Sequence, residues 1–75
     1  MQIMMREASN PFDAYRVATG MEKAGAYVFS ITHSGMHQPS GALIPSSRMV
    51  VWAKVVDDKM IQAVDEAIDK EFGGE

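Results

Sequence analysis

Residues 48–56, Arg-Met-Val-Val-Trp-Ala-Lys-Val-Val, form a strand pattern that is apolar on both alternating faces. Met49, Val51, Ala53 and Val55 share one face, and Val50, Trp52, Lys54 and Val56 share the other. A chain of 75 residues has few elements with which to cover two such faces. It holds one compact domain at most, and at this size a chain buries only about 60 % of the surface its unfolded state exposes. The sequence has no cysteine, so no disulfide can supply the missing stability. Self-association is the staple that remains for a small domain without a metal site.

The segments around this strand set the fold class. Asn10-Pro11-Phe12-Asp13 reads as a helix start: a capping side chain, a proline where no N–H is needed, and an acid at the positive end of the dipole. Ala14, Val17, Ala18, Met21 and Ala24 then recur at helical spacing, with Gly20 as a weak point and Gly25 as the stop. In residues 26–33 the period changes to two, which predicts a strand with Tyr27, Phe29 and Ile31 on one face and Val28, Ser30 and Thr32 on the other. Residues 34–47 have loop composition, with Gly35, Pro39, Gly41, Pro45 and several serines. Asp57-Asp58 opens a last helix with an apolar stripe of Met60, Ile61, Val64, Ala67, Ile68 and Phe72, ended by Gly73-Gly74. Residues 1–9 form either an N-terminal strand or a flexible tail, and residues 10–75 a single domain. The expected fold is α+β in the order β(?)-α-β-β-α: an antiparallel sheet with both helices packed on one face.

The net charge of −3 conceals an asymmetry. Residues 57–75 carry seven acids against two lysines, whereas residues 1–56 carry five basic residues against three acids. Asp58, Asp65, Glu66 and Asp69 fall on the outer face of the last helix, where Glu66 can meet Lys70 and Asp65 repels Asp69. A solvated face is the ordinary reading. The functional one is docking to a basic surface, as an acidic phage-type or mobile-element-type inhibitor of a nucleic-acid-binding protein would do.

Catalytic signals are weak. His33 and His37 are four residues apart, but a strand end and a turn separate them, and a structural zinc site needs four ligands. Ser34, Ser40, Ser46 and Ser47 lie near both histidines without the G-x-S-x-G elbow or an orienting acid. Solvated loop residues are the simpler reading, with a ligand- or metal-binding site at His33, Ser34 and His37 as the alternative. The glycines of the loop lack a phosphate-binding pattern. Lys23, Ala26, Tyr27 and Val28 overlap an RNA-binding strand signature, but the glycine after the basic residue and both outer aromatics are missing. No enzyme, cofactor or direct nucleic-acid binding is expected. The longest apolar run is five residues, far below the roughly 20 of a membrane span, and the N-terminus lacks the order of a signal peptide. The expectation is a cytoplasmic, non-enzymatic interaction or regulatory module. Its partner is another protein or a second copy, as a homodimer. If the small-residue face of the 48–56 strand lies under the helices, then Val50, Trp52, Lys54 and Val56 form the interface. The competing reading buries Trp52 under the 34–47 loop or the N-terminal segment.

Overall fold

The computed structural model describes residues 1–33, 36–37, 43–44 and 48–73, with 36–37 and 43–44 described by their backbone alone. The elements are β1 (Gln2–Ala8), α1 (Pro11–Lys23), β2 (Tyr27–His33), β3 (Met36–His37), β4 (Leu43–Ile44), β5 (Met49–Val55) and α2 (Asp58–Glu71). The main sheet has the order β1-β5-β2, and both neighbours run antiparallel to β5. β1 and β2 are therefore parallel, with β5 inserted between them, which makes β1-α1-β2 a split β-α-β unit. The two-residue strands β3 and β4 pair with each other within the stretch read as loop. The fold is the expected α+β arrangement of a three-stranded antiparallel sheet and two helices. Residues 2–8 resolve the N-terminal alternative as a strand.

The helices form where their ends are chemically capped. Asn10 accepts a hydrogen bond from the Asp13 N–H, and Pro11 begins the helical turn. Asp57 accepts from the Met60 N–H at the start of α2. At the far ends, Gly25 (φ 95°) and Gly73 (φ 80°) adopt the left-handed conformation that side chains with a Cβ resist.

The core lies between the sheet and α1. Met4 and Ala8 of β1, Met49, Val51, Ala53 and Val55 of β5, and Ala14, Val17, Ala18 and Met21 of α1 are buried in one cluster. The small-residue face of β5 is thus the face under the helices. The alanines let α1 lie close across all three strands. α2 packs mainly on α1, and Val64 is its one fully buried side chain. Both helices are on the same side of the sheet. Arg6, which shares the inward face of β1 with Met4 and Ala8, reaches Asp65 of α2.

One expected pattern is corrected. Strict alternation in β2 put Ile31 with Tyr27 and Phe29, and Val28 with Ser30 and Thr32. Instead, the β2–β5 register shifts between Val28 and Ser30. A bulge adds a residue on one strand and leaves two consecutive side chains on one face. Val28 and Ile31 both pack against the core, while Tyr27, Phe29, Ser30 and Thr32 go to the opposite face.

Candidate functional site

The helices cover one face of the sheet, and the other face carries the strongest candidate surface. Alternation from the buried residues places Ile3, Met5 and Glu7 of β1 there, with Val50, Trp52 and Lys54 of β5. The bulge adds both Tyr27 and Phe29 from β2. Trp52 lies at the centre, opposite Met5 on one side and Ser30 on the other. Its Nε1 donates to Thr32 Oγ1 at 3.1 Å, which fixes the indole against β2. The Lys54 ammonium stands 5.6 Å from the centroid of the Phe29 ring, close enough for a cation–π contact.

Exposure separates these residues. Ile3 (63 %), Tyr27 (63 %), Val56 (59 %), Phe29 (42 %) and Met5 (41 %) are open to solvent. Trp52 is half-buried, and Val50, in the same row, is buried. At about 200 Å² for a large side chain, the five exposed residues present roughly 500 Å² of mainly apolar surface. That is at the upper end of what a monomer usually leaves uncovered. Of the competing reading, cover of Trp52 by the 34–47 loop falls for the most part outside the described residues, and the N-terminal segment does not lie over Trp52. It pairs beside it and extends the patch with Ile3 and Met5. Of the four residues expected at an interface, Trp52 and Lys54 lie on this face, Val50 lies on it but is buried, and Val56 follows the end of β5 and is exposed; Ile3, Met5, Tyr27 and Phe29 were not among those expected. The signal for the first pair was available: a strand that is apolar on both faces belongs in the middle of a sheet, and a middle strand needs a partner on each edge.

The acidic helix is more differentiated than its sequence. Asp65 is held by Arg6, whose Nε and Nη2 donate to the two carboxylate oxygens at 2.8 and 2.9 Å. Arg6 Nη1 donates to the Met5 carbonyl at 2.7 Å. These hydrogen bonds from Arg6 hold the Asp65 carboxyl below its ordinary value. Partial desolvation opposes the shift, and the guanidinium charge adds to it. The same hydrogen bonds raise the already high pKa of Arg6. Lys23 of α1 pairs with Glu71. Among the described residues, Glu66 and Lys70 do not pair; they line a shallow groove at the α1–α2 seam together with Ala63 and Ala67. Asp58, Glu66 and Asp69 are exposed.

His33 ends β2 and is exposed. Ser34 lies outside the described residues, and of His37 only the backbone in β3 is described. Among the described residues, no three His, Asp or Glu side chains are grouped to hold a metal ion, and no polar side chain is buried. No described helix is long and apolar enough to cross a membrane. No family model, curated protein or solved structure gives a match to this chain.

Proposed function

We propose that this chain is a small, non-enzymatic interaction module of the cytoplasm, acting on a protein partner or on a second copy of itself through the open face of its sheet. The observation that carries this reading is the apolar patch around Trp52. An aromatic held by one hydrogen bond and ringed by exposed Ile3, Met5, Tyr27 and Phe29 has the make-up of a binding hot spot. Self-association is the first form of the proposal. Two copies meeting face to face bring together roughly 1,000 Å², the lower limit for a specific interface. The face carries little charge: Glu7 and Arg48 pair at its end, and the Lys54 ammonium stands over the Phe29 ring. The charge of α2 lies on the far side of each copy, well beyond the Debye length of about 8 Å.

Sedimentation equilibrium tests this form. A dimer at high micromolar concentration that is lost in Trp52→Lys supports self-association. A monomer at about 1 mM sinks it and leaves a different protein as the occupant. A second reading, an inhibitor docking on a basic protein surface, is favoured by the exposure of Asp58, Glu66 and Asp69. Glu66→Lys combined with Asp69→Lys would abolish such binding at low salt, and unchanged binding would exclude it.

A further inference from the structure

The edge of the sheet at β1 differs from the edge at β2. β2 carries a bulge, which twists an edge away from further pairing. β1 pairs with β5 in unbroken register over all seven residues, Gln2 to Ala8, and contains no proline. Among the described residues, no strand lies on its other side. Alternate residues of such an edge point N–H and C=O groups outward, ready for another strand.

The helices make this edge a rim with a roof. Three strands give a sheet about 14 Å wide, while two helices side by side need about 20 Å. α1 lies across all three strands, so α2 is displaced sideways, and the Arg6–Asp65 pair shows that the displacement is toward β1. Only Val64 of α2 is fully buried; Met60, Ile61 and Ile68 are half-covered. With Asp65 facing β1, the residues seven and three before it and four after it share its flank. These are Asp58, Gln62 and Asp69, all exposed. The chain's own Arg6 shows which chemistry fits there: its guanidinium is lodged between an α2 carboxylate and a β1 carbonyl.

We propose that this rim is a strand-addition site for one extended segment of a partner protein. The segment hydrogen-bonds to the outer edge of β1. Its side chains on the helix side are Lys or Arg, facing Asp58 and Asp69, and those on the other side are apolar, continuing the row of Ile3 and Met5. Main-chain bonds supply the affinity, and the alternating side chains supply the choice of sequence. A second copy is a poorer occupant. Pairing β1 with β1 across a twofold axis sets the acidic flank of one α2 against the same flank of the other.

The test is a titration of the isotope-labelled full chain, followed by amide chemical shifts. The probe is a capped seven-residue peptide alternating Lys and Val. The expected result is saturable shifts at residues 2–8 and along the Asp58–Asp69 flank. Binding should fall roughly ten-fold in Gln62→Lys with Asp69→Lys, and it should weaken as salt is added. Both substitutions are on the surface, and Asp69→Asn alone gives a milder version if the double variant folds poorly. Three results would overturn the proposal: no saturable shift in β1 at about 1 mM peptide, equal binding of a Glu–Val peptide, or shifts confined to the face around Trp52. Concentration-dependent broadening without peptide that is confined to the β1 amides and spares Tyr27, Phe29 and Trp52 would also overturn it, since a second copy would then fill the rim. Because the readout is resolved by residue, failure at β1 leaves the open-face proposal standing.

Discussion

Gly20 shows how a residue's meaning changes once its neighbours are known. In a helix sequence it is a defect, costing about 1 kcal/mol relative to Ala. In the fold, a Cβ at this position would stand 2.9 Å from the backbone N and Cα of Ile68. Those atoms belong to α2 and cannot swing aside as a side chain can. The glycine is therefore where the two helices touch backbone to backbone. Gly20→Ala gains the propensity term and loses the close approach, and overpacking of this kind costs about 1–3 kcal/mol. The expected net result is destabilisation, read as a lower urea midpoint; a higher midpoint would show that α2 yields without cost.

Arg6–Asp65 gives a residue-scale prediction with a sign. The folded pKa of Asp65 lies below its unfolded value. Its contribution to stability is therefore present above the unfolded value near 4 and is lost as pH falls through the folded one. The two side chains are 38 % and 47 % exposed, so solvent screening limits the pair to about 1 kcal/mol or less. Asp65→Asn should lower stability at pH 7 by up to that amount and by less at pH 3. Urea unfolding at the two pH values checks this, and an equal penalty at both would contradict the assignment.

At the scale of elements, the two helices were legible because their ends carry chemistry that has no other use. Asn10-Pro11 and Asp57 cap, Gly25 and Gly73 stop, and the apolar stripes between them face the core. β5 was legible as a strand from its period of two and its β-branched residues, but its place in the middle of the sheet, which its two apolar faces imply, was not drawn from them. β1 was not legible by itself. Gln2, Met4, Arg6 and Ala8 make a mixed inward face, and Arg6 takes an inward position only because Asp65, 59 positions away in sequence, neutralises it. The bulge in β2 was also hidden, since no proline or glycine marks it and strict alternation fits Tyr27, Phe29 and Ile31 equally well. The candidate patch was therefore half legible: its centre at Trp52 was, but its aromatic flank was not. The sheet order has a measurable consequence. Among the described residues, β5 has a paired neighbour on both sides, whereas β1 and β2 have one each. Amide exchange should be slowest along β5, with protected and unprotected amides alternating in β1. Uniform protection throughout β1 in the isolated chain at low concentration would mean that its outer edge is already covered.

On the scale of the whole molecule, the sheet separates stability from recognition. Met21, Val51, Val55 and Val64 are fully buried on the helix side, and removing such a side chain leaves a cavity that a thin two-layer domain closes poorly. Met21→Ala should cost about 2–5 kcal/mol, a large share of what a domain of this size has. Trp52 belongs to the other face. It is half-buried and makes one hydrogen bond to Thr32. Trp52→Lys forfeits that bond, worth about 1 kcal/mol, and the apolar burial of the covered part of the indole, about 1–2 kcal/mol more, while Lys keeps its charge in water. The two substitutions should thus dissociate. Met21→Ala should lower the thermal midpoint strongly, yet the fraction that remains folded should associate as the parent does. Trp52→Lys should lower the midpoint of the monomer by less than Met21→Ala does and abolish association. Melting curves combined with sedimentation of both variants measure the two effects independently. If Trp52→Lys instead unfolds the chain as Met21→Ala does, the indole is part of the core, and the open face loses its claim to be a binding surface.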